Sequence, residues 1–317
     1  MKIYTLLTLS LLAALPASAI TLEPIKYGDM NSWVTRHIKE SGVIGGKSKT
    51  VYAIGPNTTI NTGKAYHNMG GSPWATSNVL AKVSGVTKTS NAVSPAVRSG
   101  SNRCAKLETK YEHVKVLGLI NMDVMVAGSM FLGQMLEPIS STKSPYKKMI
   151  MGIPYTKRPN YLVFDYKVDC PNVNTRVKSS GFGSKKTLQG RDKAVVFVFL
   201  QRRWEDAQGK IHAKRVGTGG ETYSRTTPWK NGHQLKIHYG NASAQPGYAP
   251  FLALRNGSNA YYTKNSKGKM VPVIEEGWDD PKATPTHAVV MFSAGSGEPY
   301  VGTEGLTLYV DNVKFGF

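Results

Sequence analysis

Alternation of apolar and polar residues with a period of two runs through most of this chain. In the run 161–168, four apolar side chains share one face, whereas Asp165 and Lys167 lie on the other. Successive side chains of a β-strand point to opposite faces, so this pattern predicts a half-buried strand. Many short strands with few helices favour an antiparallel β-sandwich of the jelly-roll kind. Five further runs of this character are bounded by turn residues: Val114 to Ile120, Ala194 to Leu200, Leu235 to Tyr239, Ala288 to Phe292 and Leu306 to Phe315.

Two segments depart from this alternation. Residues Asp29 to Glu40 place Trp33, Val34 and Ile38 on one stripe, with Asp29 or Asn31 as N-cap and Gly42 beyond the end. This pattern predicts a short helix with a buried tryptophan. The stretch Ser84 to Asn102 is polar and rich in serine, which predicts a long exposed loop. We find no proline-rich or serine-rich linker that would divide the chain into separate domains.

The first 19 residues have the composition of a targeting signal. Lys2 supplies a positive charge, an apolar stretch follows from Ile3 to Leu15, and residues 17–19 form a small-residue cleavage site. The apolar stretch is shorter than the ~20 residues that span a membrane. We therefore expect the mature chain to be exported, without a transmembrane segment, to the periplasm, the cell surface or the medium.

The chain has two cysteines, Cys104 and Cys170. Disulfides persist in the oxidising environment of exported proteins, so we expect these residues to form an intramolecular disulfide. Two buried free thiols are the alternative. Two cysteines are too few for the common four-ligand zinc site, and the seven histidines show no metal-binding spacing.

Positive charge dominates the sequence, with 40 Lys and Arg residues against 20 Asp and Glu residues and a formal net charge of +20. The charge is uneven, because the segment Arg176 to Arg215 holds eleven basic and three acidic residues. A field of this sign attracts anionic polymers, and an exported protein meets anionic polysaccharides more readily than nucleic acid. Specific nucleic-acid binding is not expected, because no recognition motif accompanies the charge. Lysines that protect strand edges from pairing would give the same composition.

The last apolar run changes phase. Leu306, Leu308 and Val310 share one parity, whereas Val313 and Phe315 share the other. A β-bulge at residues 311–312 would restore a single buried face.

Such a bulge would turn Asp311 out of the regular pleat, where it could ligate calcium or a glycan hydroxyl. Calcium at Asp311 is the only cofactor that the sequence indicates. An aspartate satisfied by backbone N–H groups is the equal alternative.

Catalytic motifs are scarce. The sequences HExxH and GxSxG are absent, which removes the commonest zinc-protease and serine-hydrolase hypotheses. Glycoside hydrolysis needs two carboxyl groups ~5 to 9.5 Å apart, and the densest acidic segment is Glu275 to Asp280, with four acids around a tryptophan. A solvated, charged loop is the simpler interpretation of that segment.

Sugar binding requires a flat aromatic ring against the C–H face of a pyranose and polar groups at its edge. Of the five tryptophans, Trp33 is assigned to the core and Trp204 to a hairpin turn. The remaining three lie in polar, loop-like contexts and are predicted to be exposed near loop ends. The candidate glycan-binding residues are therefore Trp74, Trp229 and Trp278, with Arg202 and Arg203 as cationic partners.

Five segments together carry a family resemblance. The run Met125 to Gly133 resembles an "AGSLFLG" strand, and Gly152 to Pro159 followed by Phe164 to Lys167 resembles a "GxPFxxRP…YKY" signature. Gly302 to Val313 is similar to a closing "GxxGSxLxVDNV" strand, and Pro73 to Asn78 resembles a first landmark. These are landmarks of the putative carbohydrate metabolism domain of secreted and surface proteins of Bacteroidetes. One departure is an aspartate, at 165, where the family more often has an aromatic residue.

The resemblance covers roughly Asn57 to Phe317 in the family's order. It implies a jelly-roll β-sandwich like those of carbohydrate-binding modules, from bacteria that degrade polysaccharides. The implied organisation is a signal peptide at 1–19, an N-terminal extension with a short helix at 20–56, and a jelly-roll domain at 57–317.

Three functions remain open from the sequence. We favour a non-catalytic glycan-binding protein that takes part in polysaccharide utilisation, because no pair of catalytic acids can be identified in the sequence. A glycoside hydrolase or lyase on the same fold is the first alternative. A surface-assembly protein, which uses the sandwich only to pack against partners, is the second.

Overall fold

The computed structural model of this chain describes residues 20–66, 71–116, 120–181 and 183–317. The predicted signal peptide lies outside the described residues. Within them, the only helices are four short 3-10 turns: Gly42–Ile44, Pro145–Lys148, Ala242–Ala244 and Pro250–Leu252. None of the described segments forms a helix long and apolar enough to cross a membrane.

Strands make up the rest of the regular structure. In the first half of the chain they are β1 Leu22–Pro24, β2 Trp33–Lys39, β3 Ser48–Ile54, β4 Thr58–Ile60, β5 Trp74–Thr76, β6 Val79–Val83, β7 Val86–Ser90, β8 Val93–Ser99, β9 Asn102–Val116, β10 Ile120–Ala127, β11 Ser129–Met135, β12 Met149–Met151 and β13 Ile153–Pro154. In the second half they are β14 Tyr161–Asp169, β15 Thr175–Lys178, β16 Lys186–Gln189, β17 Ala194–Glu205, β18 Ile211–Tyr223, β19 Thr227–Lys236, β20 His238–Tyr239, β21 Tyr261–Lys264, β22 Met270–Trp278, β23 His287–Ser293, β24 Val301–Gly302 and β25 Thr307–Gly316.

Two large sheets organise these strands. The smaller of these two, called the smaller sheet below, has seven strands in the order β10-β9-β25-β14-β19, with β1 paired to β25 and β8 paired to β9. The larger sheet has ten strands in the order β13-β23-β17-β18-β22-β21-β12-β11-β5, with β20 paired to β18. Nearly all pairings are antiparallel, and the parallel ones are β2 with β4, β12 with β21, and β18 with β22. Three small sheets, β16-β15-β24, β3-β2-β4 and β6-β7, complete the fold.

The two large sheets pack face to face around one apolar core. Leu162 and Phe164 from β14 and Val310 from β25 meet Val198 from β17 and Phe292 from β23, and all five side chains are fully buried. Burying each such side chain contributes about 1.5 to 3 kcal/mol, so this layer holds the sheets together. The predicted β-sandwich is confirmed, and the predicted apolar face of the run 161–168 belongs to this core.

The larger sheet also curls back on itself. β11 pairs with β12 at one end and with β23 at the other, so the sheet closes around a second apolar cluster. Phe131, Phe197, Phe199 and Tyr261 are buried in this cluster, on the face that points away from the smaller sheet. Both faces of the central strand β17 are therefore apolar, as its sequence AVVFVFL requires.

The predicted helix at Asp29 to Glu40 is wrong, because residues 33–39 form strand β2 between β3 and β4. The strand was not recognised because Arg36 occupies a buried position in it and interrupts its apolar alternation. Its guanidinium forms a bidentate pair with Glu137, at 2.9 and 2.7 Å, so a charged residue takes a core position. Trp33 is buried, as predicted.

The long loop predicted at 84–102 is also wrong. This segment contains β7, which forms a hairpin with β6, and β8, which pairs with β9 at the edge of the smaller sheet. Edge strands and small hairpins bury little surface, so serine and threonine are tolerated in them and the apolar pattern is weak.

The predicted disulfide is absent, because Cys104 and Cys170 are both free and buried. Cys104 lies in β9 and Cys170 follows β14, and β25 runs between these two strands. By parity Cys104 lies on the outer face of the smaller sheet, whereas Cys170 belongs to the inner core. A bridge needs Cα atoms about 4.4 to 6.8 Å apart, which this arrangement excludes.

We predict two reactive thiols per chain in the unfolded, unreduced protein. Before unfolding, both thiols should react slowly, because they are buried and burial raises the pKa of Cys104 to about 11. A titration with a chromogenic disulfide reagent, with and without denaturant, measures both states. Zero thiols after unfolding would show that the bridge forms.

The predicted hairpin at 204–210 is confirmed as the turn between β17 and β18. Next to it, the imidazole of His212 stacks on Trp204 and lies between two carboxylates. Its Nε2 is 3.0 Å from Asp206, and its Nδ1 is 2.6 Å from Glu276. Hydrogen bonds to these carboxylates, that to Asp206 first, raise the pKa of His212 above its usual 6.5.

We predict that the stability of this hairpin depends on pH through His212. A raised pKa in the folded state means that protonated His212 contributes its full stabilisation below pH 6.5, and that this is lost as the pH rises through the folded-state value. The unfolding midpoint of the wild type should fall relative to that of His212→Asn over this interval. Parallel pH profiles of the two proteins, measured by thermal unfolding, would contradict the prediction.

Candidate functional site

The outer face of the smaller sheet carries the polar side chains that its inner face excludes. In β25, Leu308 and Val310 point into the core, so Tyr309 and Asp311 point outward. In β14, Asp165 and Lys167 point outward by the same alternation. Asp165 pairs with Asp311 and Lys167 pairs with Tyr309, which places the four side chains in one compact patch.

The bulge predicted at residues 311–312 is confirmed. Val163 pairs with Lys314 and Asp165 pairs with Asp311, so β25 has one residue more than β14 in this interval. The extra residue is Asn312, whose φ of 54° lies in the left-handed region that asparagine tolerates better than most residues. The bulge restores Val313 to the inner face.

A second bulge lies in β8 at Arg98. Val97 pairs with Arg103, and Ser99 pairs with Asn102, so Arg98 is the extra residue. Bulges redirect side chains out of the regular pleat. Here the redirected arginine reaches across to the carboxylates on β14 and β25.

Arg98 bridges the two aspartates. One guanidinium nitrogen, Nη1, donates to Asp165 at 2.7 Å and to Asp311 at 2.5 Å, and the other, Nη2, donates to Asn231 at 2.6 Å. We call Arg98, Asp165, Asp311 and Asn231 the Arg98 cluster. Asp311 is fully buried, and its second oxygen accepts the backbone N–H of Asn312 at 2.8 Å.

The cation beside Asp311 is a guanidinium from the chain itself, at the position where the sequence suggested calcium. The remaining oxygen of Asp165 accepts the backbone N–H of Gly232 at 2.6 Å. Burial opposes ionisation of Asp165, but hydrogen bonds from Asn312, Gly232 and Arg98 hold the pKa of this carboxyl below its usual value. Among the described residues, no group of three or more His, Cys, Asp or Glu side chains could hold a metal ion.

An aromatic pair lies on top of the Arg98 cluster. The guanidinium of Arg98 stacks on Trp229 at 4.3 Å from the ring centroid, and Trp229 lies 6.3 Å from Tyr309. The ammonium of Lys167 lies 4.9 Å from the Tyr309 ring centroid. We call Trp229 and Tyr309 the aromatic platform. Both rings are partly exposed, so the platform is an accessible surface of the smaller sheet.

The charged side chains that flank Tyr309 are paired. Tyr309 is flanked across the strands by Lys167 and Lys106. Lys167 lies 3.2 Å from Asp169, and Lys106 lies 3.0 Å from Glu108. The platform therefore offers both donors and acceptors at its edge, without a large excess of either charge.

Trp74 is not an exposed platform, which corrects the prediction. Its side chain is 1% exposed, packs against Phe292, and donates from Nε1 to the carbonyl of Lys26 at 3.0 Å. All three residues of the short strand β5, Trp74–Thr76, are buried, so the polar residues next to this strand in the sequence do not indicate exposure.

Arg203 is likewise buried, and it cannot contact a glycan in this structure. Its guanidinium donates to Gln201 and to the carbonyl of Met151, both at 2.8 Å. Arg202 is on the opposite face of β17 and is exposed, but it is engaged in a bidentate pair with Asp279 at 2.7 and 2.9 Å. The ring of Trp278 is partly exposed beside Tyr248, at an interplanar angle of 67°.

The acidic segment 275–280 does not present a pair of facing carboxylates. Glu275 is fully buried and binds Arg215 at 2.5 Å, Glu276 binds His212, and Asp279 binds Arg202. Asp280 accepts the backbone N–H of Lys282 at 2.6 Å. Each of the four carboxylates therefore has a separate partner.

The basic segment 176–215 does not form one exposed surface. Arg203 and Arg215 are buried, and three further members are neutralised by acids: Lys178 by Glu298, Lys185 by Asp123, and Arg202 by Asp279. The segment passes through four strands in two different sheets. Its local excess of charge is therefore smaller than the sequence indicates.

A separate cavity of about 570 Å³ lies between the β6–β7 hairpin, β10 and the second apolar cluster of the larger sheet. None of the candidate residues chosen from the sequence lines it. Its wall is formed mainly by valine, methionine and aromatic side chains, with several serine and threonine hydroxyls. It is thus chemically unlike the platform on the other sheet.

Comparison with known proteins identifies the family to which this chain belongs. A family model described as "putative carbohydrate metabolism domain" matches residues 47–224, which is more than half of the chain. Comparison with curated proteins gave no match.

Among solved structures, this chain is similar to two that are described as putative glycoside hydrolases. For the one from Bacteroides vulgatus ATCC 8482, the TM-score is 0.42 and the identity is 13%, over 94% of this chain and 95% of that one. For the one from Bacteroides thetaiotaomicron VPI-5482, the same TM-score and identity apply to 84% of this chain and 74% of that one.

We predict that Arg98→Met destabilises the protein by about 3 to 5 kcal/mol, because it leaves two buried carboxylates opposite each other without a cation. Adding Asp165→Asn and Asp311→Asn to this variant should recover part of the loss. Denaturant unfolding measures all three proteins, with Arg103→Met, at an exposed arginine of the same sheet, as the control. A chelator should leave the wild-type midpoint unchanged. If a chelator lowers it, Asp311 binds a metal and this account of the cluster is wrong.

Proposed function

Since this chain belongs to the family of the putative carbohydrate metabolism domain, we propose that it binds a glycan, without cleaving it, on the aromatic platform of Trp229 and Tyr309. The family match supports a role in carbohydrate metabolism. The platform supplies the chemistry that sugar recognition needs, since an aromatic face packs against the C–H face of a pyranose and polar groups at its edge bind hydroxyls.

The observation that carries this proposal is the fixed position of Trp229. Its ring is held from below by Arg98, which is itself held by two aspartates and an asparagine. A ring that is already in place loses little conformational entropy when a ligand binds, so the platform is preorganised. Tyr309 extends the surface toward a second sugar unit.

A neutral glycan fits the platform better than an anionic one. The cations beside the rings are paired with Asp165, Asp311, Asp169 and Glu108. Alternating donors and acceptors suit sugar hydroxyls, which are both. The net charge of +20 would then act only as a weak, salt-sensitive attraction to polyanions.

The distribution of carboxylates supports binding rather than hydrolysis or elimination. Beside the platform, Asp165 and Asp311 both contact the same guanidinium, which leaves neither free as a general acid or nucleophile. The four acids of segment 275–280 each have a separate partner. Catalysis by a carboxylate pair remains the alternative that the assay below distinguishes.

Export is part of the same proposal. Residues 1–19 have the composition of a signal peptide, and polysaccharides too large to enter the cell are met outside the cytoplasm. The two free cysteines are compatible with export, because neither thiol is exposed.

Trp278 is a secondary candidate on the larger sheet. Its partly exposed ring stands beside Tyr248, and Arg202 and Asp279 lie next to it. The guanidinium of Arg215 lies 5.7 Å from the centroid of its ring, farther than the 4.3 Å between Arg98 and Trp229. We therefore assign the main site to the platform, and Trp278→Ala is a separate variant in the test.

We predict that Trp229→Ala and Tyr309→Ala each weaken glycan binding by about 0.5 to 1.5 kcal/mol, the usual contribution of an aromatic contact. A glycan array of the mature protein identifies the ligand, and calorimetry at physiological and at threefold higher salt measures affinity. Trp204→Ala is the matched control, since Trp204 is 37% exposed on the larger sheet.

Binding that survives high salt and falls in the platform variants supports the proposal. Binding only to polyanions that is lost in high salt and is unaffected by alanine at Trp229, Tyr309 or Trp278 would contradict it. The protein would then bind only through its positive surface charge. Release of reducing ends from the bound glycan would favour the hydrolase alternative. No ligand on the array, with assembly into oligomers, would favour the surface-assembly alternative.

A further inference from the structure

The cavity beside the β6–β7 hairpin has a predominantly apolar wall. Val79 and Val83 come from β6, Val124 and Val126 from β10, and Met291 from β23. Its volume of about 570 Å³ is several times that of an engineered apolar cavity of ~150 Å³ that binds benzene. The cavity can therefore hold an apolar group larger than one ring.

Two cationic side chains on the wall form no ion pair with an acid within the described residues. Lys88 is neutralised by Glu40 at 3.3 Å and Glu112 at 3.7 Å, and Glu298 is paired with Lys178. By contrast, Lys148 and Arg255 form no side-chain ion pair with any acid in the described part of the chain.

These cations lie close to two tyrosines. The guanidinium of Arg255 lies 5.0 Å from the ring centroid of Tyr261, and Tyr261 contacts Tyr146 edge to face at 5.6 Å. Tyr146 and Lys148 belong to the same 3-10 turn, Pro145–Lys148. One part of the wall is thus cationic and aromatic, while the rest is apolar.

Buried polar atoms without a protein partner concentrate here. Arg255 Nε, Ser90 Oγ and Ser296 Oγ are all buried and lack a hydrogen-bond partner in the described chain, and all three residues line this cavity. Hydrogen-bonding capacity is therefore left unused in side chains of the cavity wall.

From this combination we infer that the cavity binds a single alkyl chain that carries an anionic head group. The alkyl chain occupies the valine and methionine wall, and the head group accepts hydrogen bonds from Arg255 and Lys148. Charge selects the head group, because two unpaired cations complement a carboxylate, sulfate or phosphate. A sugar would place its hydroxyls against valine side chains, where they could not be satisfied.

This site goes beyond the proposed glycan binding and does not depend on it. The aromatic platform lies on the outer face of the smaller sheet, whereas the cavity lies against the second apolar cluster of the larger sheet. Trp229→Ala should weaken only glycan binding, and Arg255→Met should affect only the alkyl ligand. The two proposals therefore fail separately.

The test is isothermal titration of the full protein with monomeric fatty acids of increasing length, from octanoate to dodecanoate. Affinity should rise about fourfold for each added methylene, because each one removes a similar apolar area from water. The heat capacity change of binding should be negative. The matching alcohols, octanol to dodecanol, should bind about tenfold more weakly, because they lack the charge that Arg255 and Lys148 bind.

Two variants locate the site. Arg255→Met should lower dodecanoate affinity about tenfold and leave dodecanol affinity unchanged within twofold, whereas Arg225→Met, at an exposed arginine elsewhere, should change neither. Ala81→Phe, which fills the cavity from β6, should lower the affinity of both ligands and leave the unfolding midpoint of the protein near that of the wild type. Its effect keeps the test decisive if Arg255→Met proves unstable.

A third arm distinguishes free fatty acid from the acyl chain of a membrane lipid. Vesicles of phosphatidylglycerol present anionic lipid as a surface, and Ala81→Phe should weaken vesicle binding only if an acyl chain enters the cavity. Binding to vesicles alone, unchanged in Ala81→Phe, would mean attraction by the surface charge of the protein and would overturn the inference. Affinity independent of chain length, or equal for acid and alcohol, would overturn it as well.

Discussion

The smaller sheet depends on the ion pairs that the guanidinium of Arg98 forms with Asp165 and Asp311. Two aspartates face each other across β14 and β25, and like charges in directly opposed positions repel. Arg98 lies between them and turns that repulsion into two charge-assisted hydrogen bonds, at 2.7 and 2.5 Å. The same guanidinium supports the ring of Trp229, so one residue joins the central strands of the sheet to the surface proposed to bind a glycan.

Alternation of side chains was sufficient to predict the architecture, because a strand such as β14 places one complete parity of apolar residues in the core. It failed where a buried position holds a charge. Arg36 occupies a core position in β2 only because Glu137, about a hundred residues away, neutralises it, and no local pattern reports such a partner. Strands β7 and β8 were missed for the opposite reason, since edge strands bury too little surface to leave a strong pattern.

The candidate site was predictable in part. The phase change around Asp311 is visible in the sequence because a bulge shifts parity, and Trp229 could be proposed from its polar context. Arg98 and Tyr309 could not be proposed, because their contacts depend on a second bulge and on the register between three strands. The same limit explains the disulfide prediction, since spacing does not show that Cys104 and Cys170 lie on opposite faces of one sheet.

The position of β25 also determines when this fold can be completed. β25 is an internal strand, with β14 along one edge and β9 and β1 along the other, yet it is formed by residues 307–316. Until those residues are available, β9 and β14 have no neighbour to join them, and their edges are open to incorrect pairing. Contacts between segments so distant in sequence close large loops, which slows folding. A nascent chain of this protein therefore carries an unfinished sheet from the synthesis of β9 until that of β25, and it would benefit from chaperones that shield strand edges.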